Sequence, residues 1–226
     1  VLTDCGNTSI SKANRTLNSE FFMNNPAFST VVVGDIGVNC YLVPGPVSGN
    51  LYIIDPGDDA AEIVNAARGF QYREAVILLT HAHVDHIGAC GPVAKKLGIA
   101  KVCLNGNDRV LYFSPENHLL PYIPAAKNLP EVMDYYPQDD FTVLETPGHT
   151  PGSVCLLFRQ YNALFTGDTL FQGAIGRTDF PGGDYDTLIR SIHEKLLPLP
   201  DDLRVLPGHQ YSSTIGEERR SNPYLA

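Results

Sequence analysis

The 226-residue chain lacks a basic excess, a paired cysteine motif and any apolar run long enough to cross a bilayer. Its 16 Lys and Arg residues are outnumbered by 25 Asp and Glu residues, which gives a formal net charge of −9. Because nucleic-acid binders usually carry a basic surface, this charge argues against a DNA or RNA partner, while a local basic pocket for an anionic substrate stays compatible with it. The longest apolar runs are broken by Asp, His or Gly, so we expect no membrane span.

The chain has few cysteines, and their count is odd. The chain has Cys5, Cys40, Cys90, Cys103 and Cys155 and no CxxC pair. This usage is typical of reduced, buried thiols in a cytosol-like compartment, and we therefore expect a cytoplasmic protein without disulfides. Because the first residue is Val1, the natural start can lie upstream, and an exported alternative stays open.

The remaining composition, with 43% hydrophobic and 18% charged residues, is that of a globular protein whose length suits one domain. Residues 1–27 are polar, rich in Asn and Ser, and without a sustained period, which predicts an N-terminal extension. Residues 28–226 then form the predicted domain. Its first part, up to Gly57, has short β-branched and aromatic runs between turn residues, which is typical of antiparallel strands.

Helices and strands alternate beyond Gly57. Residues 58–70 predict a helix with Asp58 or Asp59 as its N-cap, and residues 91–98 predict a second helix. Leu104 to Asp140 contains five prolines, so we expect short helical pieces and loops, typical of a lid or substrate-facing wall. A second β-rich set, a helix over 185–199, a strand and a short tail over 213–226 follow. Two such halves favour two packed sheets with helices outside, an α/β fold.

Side chains that bind metals follow four of the predicted buried strands. The stretch LLTHAHVDHIG supplies the first four, and the later strands supply three more. The seven are His81, His83, Asp85, His86, His149, Asp168 and His209. Imidazole and carboxylate groups suit Zn²⁺, and seven ligands are too many for one tetrahedral ion. They suit two ions roughly 3.5–4 Å apart that share a carboxylate and a water-derived hydroxide.

An isolated loop histidine is usually not a ligand, but five of the seven histidines lie in these strand-end motifs. Only His118 and His193 lie outside them, and for these two we predict no functional role. The sequence therefore predicts a dinuclear site with two Zn²⁺, and Fe or Mn as alternative metals.

The motifs THAHVDH, PGHTPGS, FTGDTLF and PGHQ resemble, in this order across Phe28 to Ala226, the hydrolase branch of the metallo-β-lactamase fold superfamily. The resemblance implies a four-layer αββα sandwich with a dinuclear site in the cleft between its sheets. It also implies a role for each ligand. His81, His83 and His149 would bind the first metal, Asp85, His86 and His209 the second, and Asp168 would bridge them.

Asp168 distinguishes between branches of the superfamily. Lactamase branches usually lack a bridging aspartate at this position, so Asp168 argues against a dedicated β-lactamase. The stretches GDTLFQGAIGRTDFPGGD, HEKLLPL and IGEERRSNPYL resemble the compact, single-domain type of the glyoxalase II-like hydroxyacylglutathione hydrolases. This implies a small-molecule thioester substrate such as S-lactoylglutathione, attacked by a bridging hydroxide. Asp85 would orient this nucleophile and take its proton as the oxygen bonds to the carbonyl carbon. The helical C-terminal domain that supplies glutathione contacts in two-domain members has no counterpart before Ala226.

Two further residues have alternative interpretations. Arg177 stands where those enzymes carry a Lys, so it either holds a substrate carboxylate or pairs with Asp179. Asp55 either orients a ligand histidine from behind or starts a turn before Pro56, and we slightly favour the first. Thr80 and Thr150 flank ligands and are expected to form hydrogen bonds near them.

Other functions stay open. A persulfide dioxygenase would hold one iron on two His and one Asp; Val84 in place of its usual Ala, and the long segment Leu104–Asp140, count against it. Hydrolysis of a lactone, a phosphodiester or a β-lactam is a second alternative, although a phosphodiester would favour a basic surface. A metal-bound scaffold without turnover is a third, and the complete ligand set argues against it. The acyl group, the native metal and the oligomeric state are left open by the sequence.

Overall fold

The computed structural model of the protein describes residues 27–135 and 140–225. Nearly all of the predicted N-terminal extension, residues 1–26, lies outside the described residues, as does Cys5. The described strands are β1 (Ser29–Val33), β2 (Val38–Pro44), β3 (Leu51–Ile54), β4 (Ala75–Leu78), β5 (Val102–Cys103), β6 (Thr142–Glu145), β7 (Val154–Phe158), β8 (Ala163–Gly167), β9 (Leu170–Phe171), β10 (Ala174–Ile175), β11 (Arg204–Pro207) and β12 (Ser213–Thr214). The described α-helices are α1 (Ala60–Ala67), α2 (Val84–Ile87), α3 (Cys90–Leu97), α4 (Arg109–Tyr112), α5 (Tyr185–Ser191) and α6 (Ile215–Ser221).

Over these two ranges the strands form two five-stranded sheets and one small hairpin. The first sheet has the order β1-β2-β3-β4-β5, and the second has the order β12-β11-β8-β7-β6. β1 to β3 are antiparallel, as predicted, whereas β3, β4 and β5 are parallel. In the second sheet β8 and β11 are parallel. The hairpin of β9 and β10 follows β8 directly.

Three apolar clusters separate four layers. One packs the first sheet on α1 and α3, and includes Ile53 and Ile63. The second joins the two sheets, and includes Tyr52. The third packs the second sheet on α5 and α6, and includes Leu188 and Ile215. This arrangement confirms the predicted αββα sandwich.

The central strands are buried on both faces, which explains why they appear in the sequence as continuous apolar runs. Along β7, Leu156 faces the other sheet, whereas Leu157 faces the helices. Neighbouring residues of one strand therefore belong to different clusters, as the two-residue period of a strand requires.

Two local predictions differ from the structure. Asp59 does precede α1, but its side chain makes no cap hydrogen bond; it accepts one from the Gly34 N–H at 2.9 Å instead. The predicted short tail contains β12 and α6. Thr214 and Glu217 form a capping box there, because each side chain accepts a hydrogen bond from the other residue's backbone N–H.

The segment between β5 and β6 is irregular where it is described, as the prolines predict. It holds a 3₁₀ turn at Gly106–Asp108, the short helix α4, and loops. Cys40, Cys90, Cys103 and Cys155 are free and buried. Among the described helices, none has the length and apolarity that a membrane crossing requires.

Candidate metal centre

The ligand-bearing loops meet at one edge of the sandwich. β6, β8 and β11 run in the same direction, because β6 and β8 are both antiparallel to β7 and β8 is parallel to β11. Their carboxyl ends therefore lie at one edge of the second sheet. The loop after β4 arrives at the same place, where the Val154 N–H donates to the Thr80 carbonyl at 2.8 Å. All seven predicted side chains come together here: His81, His83, Asp85, His86, His149, Asp168 and His209.

The first set consists of three imidazoles. One ring nitrogen from each of His81, His83 and His149 lies within 4.8 Å of the others. The closest pair is His83 Nδ1 and His149 Nε2, at 2.9 Å. His81 and His83 lie on the loop after β4 of the first sheet, and His149 lies on the loop after β6 of the second. This set therefore spans the seam, the line along which the edges of the two sheets meet.

Hydrogen bonds behind two of these rings decide which nitrogen faces the site. His149 Nδ1 donates to the Arg177 carbonyl at 2.7 Å, which leaves Nε2 unprotonated in the neutral ring. The Thr80 hydroxyl donates its only proton to Asp55 at 2.6 Å, so it accepts from His81 Nδ1 at 3.1 Å. His81 Nε2 is then also unprotonated and available to a cation.

The second set consists of Asp85, His86 and His209, whose ligand atoms also lie within 4.8 Å of one another. The Asp85 carboxylate is 3.3 Å from His209 Nε2 and 3.6 Å from His86 Nε2. Asp85 and His86 are neighbours on α2, and His209 follows β11.

Asp168 lies between the two sets. Its Oδ1 is 3.4 Å from His86 Nε2, and its Oδ2 is 3.6 Å from His149 Nε2 and 3.7 Å from His209 Nε2. One carboxylate thus reaches members of both sets, which is the position that a bridging ligand occupies.

Three buried polar atoms at this edge have no hydrogen-bond partner among the described residues: His81 Nε2, His86 Nε2 and Asp168 Oδ1. Buried polar atoms are normally paired, so three such atoms in one cluster indicate a missing partner. A cation satisfies unprotonated ring nitrogens and a carboxylate together, and this donor set suits zinc or iron. The residues therefore fit a binuclear metal site.

The two sets differ in their affinity for protons. Burial, aided by the neighbouring His149, lowers the pKa of His83 to about 3, and burial also lowers the pKa of His81. Burial opposes a charge on His86 as well, but Asp168 and Asp85 outweigh it and raise its pKa well above the ordinary value. His81 and His83 are therefore neutral near pH 7, whereas the second set has the Asp85 carboxylate, which attracts cations.

Asp55 supports both sets from behind. Its Oδ1 accepts from the Thr80 N–H at 2.8 Å, and its Oδ2 lies 3.0 Å from His86 Nδ1. With the Thr80 hydroxyl, three hydrogen bonds occupy this carboxylate, so it orients ligands and has little capacity left for a metal. The backbone of Asp55 is left-handed, with a φ of 51°, but its side-chain hydrogen bonds all go to Thr80 and His86 rather than to the residues that follow it. These contacts support the orienting interpretation of Asp55 over the turn-starting one.

Arg177 pairs with Asp179. Its Nε and Nη2 donate to the two Asp179 oxygens at 2.7 and 2.6 Å, and its guanidinium carbon lies 3.7 Å from the Phe180 ring centroid. Its side chain is 55% exposed, so it remains accessible to solutes.

A cavity of about 200 Å³ adjoins both sets through His83 and Asp85. His118 lines it, although the sequence predicted no role for this residue. His193 is exposed on a π-helical turn, Ile192–Leu196, that directly follows α5. The apolar part of the cavity lining is Val84, Leu111, Leu119, Phe180 and Pro181. The described residues also form a larger cavity of about 910 Å³. None of the seven side chains lines it. Of these two cavities, the smaller one is therefore the one that adjoins the seven side chains.

Asp108 was missed by the sequence analysis. It is fully buried, and its carboxylate accepts hydrogen bonds from the ligand loops of both sheets. It lies in the irregular segment after β5, and no motif surrounds it. Its donors are 26 to 44 residues away, so no local pattern could have identified it.

Comparisons with known proteins agree with this geometry. The model of the metallo-beta-lactamase superfamily matches residues 33–209. A hydroxyacylglutathione hydrolase, GloC, from Haemophilus influenzae is 40% identical over 190 residues, which cover 78% of this chain and 87% of that relative.

Two solved structures are similar over most of this chain. The BLEG-1 B3 metallo-beta-lactamase is 35% identical with a TM-score of 0.77, over 88% of this chain and 99% of that one. TTHA1623 in a di-iron-bound form is 35% identical with a TM-score of 0.76, over 87% of this chain and 100% of that one.

Proposed function

This chain belongs to the metallo-beta-lactamase superfamily and is a metal-dependent hydrolase, and we propose that it hydrolyses thioesters of glutathione with small 2-hydroxy acids, using two zinc ions. The observation that carries the proposal is the Asp168 carboxylate, which lies between two complete ligand sets. The GloC relative, named as a hydroxyacylglutathione hydrolase, supports the choice of substrate.

In this proposal His81, His83 and His149 hold one ion, and Asp85, His86 and His209 hold the other, with Asp168 shared. When bound, two such ions supply hydroxide near neutral pH and polarise the carbonyl that it attacks. TTHA1623 was solved with two irons, so iron is the alternative metal to test.

Asp85 has a second task, to orient the attacking oxygen and take its proton. Its carboxylate is partly exposed. One part of it lines the 200 Å³ cavity, where the substrate is placed, and it also lies close to His209 Nε2. Burial tends to keep this carboxyl neutral, but His86 and His209 outweigh it and lower its pKa. Asp85 is therefore ionised near pH 7, as a hydrogen-bond acceptor for a nucleophile has to be.

The substrate lies over the cavity and the Arg177 loop. Phe180 and Pro181 line the cavity, and Arg177 stacks on the Phe180 ring. Because the bond with Asp179 uses Nε and Nη2, the Nη1 group of Arg177 is left to bind a glutathione carboxylate. This proposed contact is weak, since Asp179 already neutralises the guanidinium.

A small acyl group fits the cavity. A volume of about 200 Å³ corresponds to roughly seven water molecules at about 30 Å³ each. The glutathione tripeptide is much too large for it, whereas the acyl part of a lactoyl thioester fits with room to spare. We therefore place the acyl group in the cavity and the glutathione outside it, toward Arg177.

A second candidate activity is β-lactam hydrolysis, because the similar BLEG-1 structure is named as a B3 metallo-beta-lactamase. The test is a comparison of kcat/KM on protein of known metal content, with S-lactoylglutathione, nitrocefin and an acyl-homoserine lactone. We expect the thioester to exceed the other two by at least about 100-fold. A higher value for nitrocefin or the lactone would reverse the assignment.

The same protein is given glutathione persulfide in an oxygen electrode. No oxygen uptake is expected. Uptake by protein that holds one iron would replace the hydrolase proposal with the dioxygenase alternative.

A further inference from the structure

Asp108 is a buried carboxylate that joins the ligand loops of the two sheets. We infer that it is a positioning residue, which fixes the His81, His83 and His149 imidazoles relative to one another. This inference rests on the metal centre of the proposed function, and it concerns how the first set of ligands is held in place.

The carboxylate accepts three hydrogen bonds. Its Oδ2 accepts from the Ala82 N–H at 3.0 Å and from the Thr150 hydroxyl at 2.7 Å. Its Oδ1 accepts from the Gly152 N–H at 2.7 Å. Asp108 is 0% exposed, and no Lys or Arg of the described ranges forms an ion pair with it. An ionised group buried without a cation is costly unless hydrogen bonds of this kind compensate it.

The donors belong to the loops that carry the first set. Ala82 lies between His81 and His83 on the loop after β4, and Thr150 directly follows His149 on the loop after β6. These loops come from different sheets, so the Asp108 carboxylate links both sides of the seam. The loop after β6 packs directly on Asp108 at Gly152, because a Cβ added to this glycine would lie 2.7 Å from the Asp108 Cγ.

An amide of the same shape cannot replace this carboxylate. Asn has one acceptor oxygen, and its NH₂ group would face either the Ala82 N–H or the Gly152 N–H. Asp108→Asn therefore disconnects one loop while it preserves the volume of the side chain. Because such supporting contacts typically change metal affinity by 10–100-fold, we expect one of the two zinc-binding steps to weaken by about that factor.

Asp140 provides the matched control. It is also buried, at 1% exposure, and it accepts hydrogen bonds from the Val47 N–H, the Ser48 N–H and the Tyr52 hydroxyl. These partners lie just before β3 or near its first residue. The metal centre lies at the opposite end of β3, where Asp55 contacts Thr80 and His86. Asp140→Asn thus disturbs a similar carboxylate away from the ligands.

The experiment is a zinc titration of the full chain, stripped of metal, against a chromophoric chelator. The wild type and Asp140→Asn should each bind two ions with similar constants. Asp108→Asn should bind one ion as the wild type does and the other 10–100-fold more weakly. Thermal unfolding of the metal-free proteins shows whether the two variants lose comparable stability. Equal titrations for Asp108→Asn and the wild type, or an equal loss in Asp140→Asn, would overturn the inference.

A milder pair of variants serves if Asp108→Asn does not fold. Thr150→Val removes the hydroxyl that donates to Asp108, and Thr150→Ser keeps it. Val should weaken the same zinc step severalfold and Ser should restore it; equal constants for the two would refute the inference. Absence of thioester turnover by a wild type that binds two zinc ions would refute the proposed substrate alone and leave this comparison intact.

Discussion

Gly208 offers a sharp test of how closely the metal centre is packed. It precedes His209, and its φ lies outside the left-handed region that favours glycine. An alanine there is therefore compatible with the backbone. A Cβ at this position would nevertheless lie 2.4 Å from Asp168 Oδ1 and 2.6 Å from His86 Cε1.

The size of the disturbance follows from these distances. Real Cβ atoms essentially never approach a heavy atom closer than 3.0 Å, so Asp168 Oδ1 must move by about 0.6 Å and the His86 ring by about 0.4 Å. Catalytic groups must be held within about 0.5 Å of their productive positions. A misplacement of about 1 Å can reduce turnover roughly 100-fold. We expect Gly208→Ala to lower kcat/KM for S-lactoylglutathione by between about 10- and 100-fold.

The assay compares Gly208→Ala with Gly69→Ala, which also has an ordinary φ and whose added Cβ would approach only the Ala66 carbonyl oxygen, at 3.3 Å. Zinc content is measured on both variants. Gly69→Ala should keep two ions and full turnover, whereas Gly208→Ala should show the lowered kcat/KM and bind its second ion more weakly. Wild-type turnover and zinc affinity in Gly208→Ala would show that this region can relax, and would refute the packing argument.

Three further predictions address the surroundings of the site. Asp55→Asn removes an acceptor behind His86 and should weaken one zinc step by 10–100-fold; an unchanged titration would contradict the orienting role of Asp55. Leu111→Phe reduces the 200 Å³ cavity, so kcat/KM over a series of S-acylglutathiones should fall first for the longest acyl groups; an unchanged chain-length profile would place the acyl group elsewhere. Because Asp168 and Asp85 outweigh burial and raise the pKa of His86, zinc must displace a proton there, and affinity at that site should rise from about pH 6 to pH 8. His83, whose pKa is lowered to about 3 by burial and His149, has no such proton to release, so zinc affinity at its site should change less; equal slopes for the two binding steps would contradict this assignment.

The sequence predicted the layers and the cluster of His and Asp side chains because both depend on short-range patterns. Strands such as β4 and β8 are apolar on both faces, and a side chain that can bind a metal follows each: His81 comes three residues after β4, and Asp168 comes directly after β8. A ligand that follows the end of a strand is placed by the sheet, so its position can be inferred without knowledge of the loop. The four-layer sandwich then brings the carboxyl ends of these strands together.

The supporting residues were harder to predict, since their partners are distant in sequence. Asp108 serves donors on two other loops, and His118 reaches the cavity through an irregular segment. No period or motif marks either residue. The helix α6 is a different case, because the three-residue spacing of its capping box, Thr214 with Glu217, is visible in the sequence and predicts a helix start within the tail.

The central claim is that two metal ions act together in thioester hydrolysis. It is tested most directly by adding zinc stepwise to the metal-free protein and measuring the initial rate on S-lactoylglutathione at each step. The account predicts that the rate continues to rise until two ions are bound per chain and that Asp168→Ala removes this dependence on the second ion. Full turnover with a single bound ion, unaffected by Asp168→Ala, would contradict it.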